Sequence, residues 1–79
     1  LANKRTIQTS LGECQIPYNP YFAGGINDPL NVGIKLAFVE MHKVRDSGQK
    51  FRIADMKKFL HHKGFSYTDI QTIVGNAYT

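Results

Sequence analysis

The sequence predicts a mainly α fold: a small three-helix domain whose last two helices have helix-turn-helix-like spacing, preceded by an irregular or β-hairpin-containing arm. Three observations predict it. Apolar residues recur at helical spacing from Leu30 to Val44 and again in two shorter runs. Residues suited to starting and stopping helices punctuate those runs at Asp28, Gly48, Gly64 and Ser66. Proline, glycine and short polar residues concentrate before Asn27. At 79 residues the chain is expected to form one domain. A chain this short buries only about 60–65% of its unfolded surface, so each core residue carries weight.

Residues 1–27 are expected to be an N-terminal arm packed on the helical unit. Thr6–Leu11 and Cys14–Ile16 are β-compatible runs flanking Gly12-Glu13, which suits a small hairpin. Pro17 and Pro20 lack an amide donor and bar a central strand beyond it. Gly24-Gly25 supplies a turn. The pair lacks the Lys-Ser/Thr sequel of a phosphate-binding loop.

Residues 28–79 are expected to be the three-helix unit. Asn27 or Asp28 can cap the first helix, and Pro29 fits its first position because no amide hydrogen bond is lost there. Leu30, Ile34, Ala37, Met41 and Val44 make one apolar stripe, which Phe38 widens. Gly33 costs about 1 kcal/mol in helix propensity relative to alanine, which suggests that it permits close packing. Gly48 ends the helix, and Gln49–Arg52 connects to a second helix from about Ile53 to Lys63. Its apolar face is expected to be Ile53, Met56, Phe59 and Leu60, with Gly64 as its stop. Ser66 and Asp69 form a capping-box variant that opens the third helix, and Phe65 with Ile70 matches a hydrophobic staple. Ile70, Ile73, Val74 and Ala77 supply the buried face, with fraying expected from Gly75-Asn76.

Composition excludes several classes. One cysteine, Cys14, cannot form an internal disulfide, so an intracellular, cytoplasmic setting is expected. No apolar stretch is long enough to span a bilayer, so no membrane partner is expected. Lys4 and Arg5 are followed by polar residues rather than by a leader's apolar core. The chain begins at Leu1 rather than Met, and residues before it are expected to have been removed or left out. His61 and His62 are neighbours on one helix and point about 100° apart, so they do not face one ion together. With His42 on another helix, no metal or other cofactor is expected. Cys14 has no histidine near it in sequence to serve as a base, and the six acids are scattered. No catalytic residue is assigned, and an enzyme is not expected.

Charge is the informative property. The net charge is +4. Between Met41 and Gly64 stand Lys43, Arg45, Lys50 and Arg52, then Lys57, Lys58 and Lys63, against only Asp46 and Asp55. Seven cations against two acids leave the rest of the chain slightly acidic. A localised basic stripe suits phosphate backbones or an acidic protein surface. In the helix-turn-helix arrangement, Lys50, Arg52, Lys57, Lys58 and Lys63 would hold phosphates. The outward face of the third helix would offer Tyr67, Thr68, Gln71, Thr72 and Asn76 to base edges. Against a strict match, Leu60 is large where a small residue usually stands, Lys63 replaces an apolar residue, and no cation follows Lys63.

The resulting expectation is a small DNA-binding or regulatory domain. The alternative is a non-enzymatic protein-interaction module, an adaptor or inhibitor, using the basic stripe together with Tyr18, Tyr21 and Phe22 against an acidic partner. Oligomeric state is not legible. One local likeness stands beside this reading: Phe59–Ile70, about a seventh of the chain, resembles the helix, basic turn, Gly-Phe-Ser and helix units of the recombination regulator RecX. The preceding residues do not continue it, and no functional residue is carried over.

Overall fold

The computed structural model describes residues 4–9 and 12–78. Strand β1, Lys4–Thr9, pairs antiparallel with β2, Gly12–Pro17, in a two-stranded sheet. Three helices follow: α1 Pro29–Asp46, α2 Ile53–His62 and α3 Tyr67–Ala77. The mainly α fold with an N-terminal hairpin is the one expected.

The hairpin's register corrects one expectation. Gly12 and Glu13 were expected between the strands. Instead they open β2, with Gly12 opposite Thr9 and Glu13 opposite Gln8. The Ser10-Leu11 end of the first expected run lies outside the described residues. Gly12 has φ +94°, a left-handed conformation that glycine adopts without a Cβ penalty. Thr9 Oγ1 donates to its carbonyl at 2.9 Å. Strand alternation then decides what the sheet buries. Ile16, opposite Arg5, is fully buried, and Ile7 and Cys14 on the same face are partly buried. Lys4, Thr6, Gln8, Glu13 and Gln15 face outward. Pro17 closes β2, where a two-stranded sheet tolerates a missing amide donor.

A buried asparagine fastens the arm. Asn31, 3% exposed in the first turns of α1, donates to the carbonyls of Asn19 (2.9 Å) and Gly25 (2.7 Å) and accepts from the Asn19 amide (3.0 Å). Its amide group is therefore satisfied by backbone alone. Asn19 also reaches the far end of α3, its Nδ2 donating to Asn76 Oδ1 at 3.3 Å.

Of the two candidate caps for α1, Asp28 acts. Its carboxylate accepts from Leu30 N and Gly24 N, both at 2.9 Å. Gly48, at φ +81°, turns the chain out of the helix. Ile34, Ala37 and Met41 of α1 meet Met56 and Leu60 of α2 and Ile70, Ile73 and Ala77 of α3 in one core. Leu30, Phe38, Phe59 and Val74 pack on its margin. Gly33 is the close approach: a Cβ there would fall on Ile73 Cδ1 and lie 2.9 Å from Ile73 Cγ1 and 3.0 Å from Phe65 Cζ.

Two further expectations are corrected. Ile53 does not join the buried face of α2; it is 46% exposed. The first residue of a helix lies before the turn that the core covers, and Met56 and Leu60 alone are buried. Nor does α3 end early: it continues through Ala77, and Tyr78 N still donates to Val74 O at 3.2 Å. Tyr78 explains the continuation. Its ring meets Phe51 edge-on at 5.2 Å and its hydroxyl donates to the Ala37 carbonyl at 2.9 Å, tying α3 to α1 and to the connector. Burial holds this phenol well above the ordinary tyrosine range.

Candidate nucleic-acid interface

The core-facing residues of α2, Met56 and Leu60, divide the rest of that helix into two flanks. At 100° per residue, Lys57 and His61 fall on one side and Asp55, Phe59 and Lys63 on the other, with Lys58 and His62 on the side away from the core between them. The basic stripe of the sequence is therefore two surfaces in space.

The first flank faces the start of α3 across a groove of about 430 Å3. Lys57, Lys58, His61 and His62 line it from α2, and no carboxylate lines it. The spacing makes this so: residues four apart stack on one face, so Lys57 lies beneath His61 and Lys58 beneath His62. The two imidazoles are 6.4 Å apart with their planes at 63°. Phe65 and Ile70 supply apolar surface within the groove, and Tyr67 stands beside them, 73% exposed.

Local structure positions that tyrosine. Gly64, at φ +95°, lets the chain leave α2, and Ser66 Oγ accepts from Asp69 N at 3.2 Å to start α3. Tyr67 is thus the first residue of α3. Its hydroxyl accepts from Gln71 Nε2 at 2.7 Å, one turn along, which restrains the ring before any ligand arrives.

The second flank differs in character. Lys50 and Arg52 line a cleft of about 290 Å3 with Phe51 and Phe59, and Glu40 and Asp55 line it too. Lys63 Nζ lies 5.3 Å over the Phe59 ring, and the Arg45 guanidinium lies 5.5 Å from the centre of the Phe51 ring. Lys63 and Arg45 thus lie against aromatic faces, while Glu40 and Asp55 share the cleft with Lys50 and Arg52 and offset their field. Of the five cations singled out by sequence, the groove holds Lys57 and Lys58. Lys50, Arg52 and Lys63 lie across the helix from them.

The outward face of α3 is narrower than its spacing implies. Tyr67, Thr68 and Gln71 are exposed. The Thr72 hydroxyl donates to Thr68 O at 3.2 Å, and Asn76 Nδ2 donates to Thr72 O at 2.8 Å while its oxygen engages Asn19.

The aromatic segment separates in the same way. Phe22 packs against the core. Tyr18 is partly buried beneath the Arg5 guanidinium, 5.0 Å from its ring centre, in a cleft between the hairpin and α1. Tyr21 alone is free, at 91% exposure. Asn19 ties this segment to the C-terminal end of α3, while Tyr67 stands at the N-terminal end, about 14 Å of helix away. The groove residues that sequence reasoning left out of the site are His61, His62, Phe65, Ser66 and Ile70. The i, i+4 pairing of each histidine with a lysine is the signal that marks the first two.

Comparison with family models, with curated proteins and with solved structures finds no match for the chain. Among the described residues no helix is long and apolar enough to cross a membrane.

Proposed function

We propose that the chain is a non-enzymatic, intracellular nucleic-acid-binding domain, with α2 and α3 working as a helix-turn-helix-like pair. The observation that carries the reading is the groove: four nitrogen-bearing side chains and an exposed, restrained tyrosine line one surface with no carboxylate among them. Lys57 and Lys58 neutralise phosphates, with His61 and His62 adding hydrogen-bond donors. Tyr67, Thr68 and Gln71 meet the bases, Thr68 and Gln71 through hydrogen bonds. Lys50, Arg52 and Lys63 contribute long-range attraction from across α2 rather than direct contacts.

The other reading, an adaptor or inhibitor for an acidic protein, draws support from Tyr21, whose exposure suits an interface anchor. It requires the basic surface and the aromatic segment to act together. Their separation along α3 favours nucleic acid.

The test is fluorescence anisotropy with labelled oligonucleotides at about 50 mM salt, repeated as salt rises. Binding should weaken linearly in log–log form. Lys57→Ala with Lys58→Ala should flatten the slope by about 1.4–1.8, the loss of two phosphate contacts. Absence of binding to any oligonucleotide at low salt rejects the proposal.

A further inference from the structure

We infer that the groove between α2 and α3 takes a single strand, with an unpaired base stacked on Tyr67; the inference rests on the nucleic-acid reading and specifies the form of its ligand. Three observations point the same way. First, the cations that line the groove come from one helix: Lys57 and Lys58, with His61 and His62, stand along α2. No lysine or arginine follows Lys63 in the sequence. A helix inserted into a duplex major groove runs between two phosphate backbones and gains from cations on both sides. A one-sided row suits a single backbone.

Second, the groove is not lined by polar groups alone. Phe65 and Ile70 give it apolar surface, and the Tyr67 ring rises beside them. In a duplex the faces of the bases are stacked on one another and present only their edges. An unpaired base has a free π-face, which an aromatic platform binds whatever the base. Third, the platform is set in advance. The hydrogen bond from Gln71 to the Tyr67 hydroxyl restrains the ring without covering it, because the residue remains 73% exposed. Gln71 is then a positioning residue for the stack as well as an edge contact. The groove's volume of about 430 Å3 falls within the common range for ligand pockets, about 300–1,000 Å3.

The experiment compares a labelled single strand of about 12 thymidines, the matching uridine strand, and a duplex of equal length, with poly-glutamate as an acidic polypeptide competitor. The single strand should bind about tenfold more tightly than the duplex at about 50 mM salt. Tyr67→Leu should cost the single strand about tenfold in affinity and leave the salt slope unchanged, while Tyr67→Phe keeps most of it. The variants' circular dichroism should match the parent's, since the side chain is largely exposed. Preference for thymidine, for uridine or for neither equally supports the single-strand class. Tighter binding of the duplex, or a Tyr67→Leu variant that binds the single strand as the parent does, overturns the inference and leaves the nucleic-acid reading standing. Binding of neither form overturns both. So does displacement of the strand by poly-glutamate at equal charge concentration, which would assign the groove to an acidic protein.

Discussion

Replacing Gly33 by alanine should destabilise this protein, although the change removes a glycine from the interior of an 18-residue helix. Alanine is worth about 1 kcal/mol over glycine at such a position, part of it from the unfolded chain. The new methyl has no room. It would fall on Ile73 Cδ1, 2.9 Å from Ile73 Cγ1 and 3.0 Å from Phe65 Cζ. Phe65 is partly buried and can yield. Ile73 is 0% exposed and enclosed by the core, so either its rotamer changes against its neighbours or α1 and α3 move apart. Overpacking of this kind costs about 1–3 kcal/mol, and complete enclosure puts the cost near the upper end. The expected net loss is about 2 kcal/mol, or about 10 °C in Tm for a domain of this size. Urea unfolding with an unchanged m value measures it. Ile73→Val removes Cδ1 and alone costs about 0.5–1.5 kcal/mol. If the methyl clash is the cause, the double variant should be more stable than the sum of the singles predicts by at least about 0.5 kcal/mol. A Gly33→Ala variant as stable as the parent, or strictly additive losses, would refute the packing argument.

Other perturbations follow from the same contacts. Asn31→Ala strands the Asn19 amide and two carbonyls and should cost about 2–3 kcal/mol, with faster hydrogen exchange at Asn19 as the local sign. Asp28→Ala removes both the cap of α1 and the tie to Gly24, an expected loss of about 1–2 kcal/mol by chemical denaturation. Tyr78→Phe should cost about 1 kcal/mol at neutral pH through the lost bond to Ala37. Tyr78 also predicts an alkaline dependence. Its phenol pKa is raised in the folded state, chiefly by burial, so the stability it contributes is complete below about pH 10, the unfolded value. That stability is lost as pH climbs from there toward the folded value. Melts between about pH 9 and 11 should show a decline in the parent that is reduced in Tyr78→Phe.

The helices were legible because their signals are local. Asp28, Pro29, Gly48, Gly64 and Ser66 act at the positions their chemistry dictates, and Leu30, Ile34, Ala37 and Met41 of the α1 stripe lie on the core at the spacing that 3.6 residues per turn demands, while Val44 lines the cleft beside Phe51 instead. What was not legible depended on distant partners. The persistence of α3 past Gly75-Asn76 comes from Tyr78 meeting Phe51 and Ala37, residues 27 and 41 positions away along the sequence. The fastening of the arm comes from Asn31, which in sequence is one more polar residue in a helix. The hairpin turn shifted because Gly12 is used for its φ at the start of β2 rather than for the centre of the turn. The candidate site was half legible for the same reason. The number and placement of cations along the chain mark a basic segment, but only the position of the core on α2 decides that Lys57 and Lys58 turn toward α3 while Lys63 turns to Phe59.

The central claim, that the α2–α3 groove is the nucleic-acid surface, is tested most directly by titrating isotope-labelled protein with a short unlabelled single strand and following each backbone amide by NMR. The account predicts shifts concentrated from Lys57 to His62 and from Phe65 to Gln71, fading as salt is added. Shifts concentrated instead around Tyr18–Phe22, or around Phe51 and Phe59 with the groove silent, would contradict it.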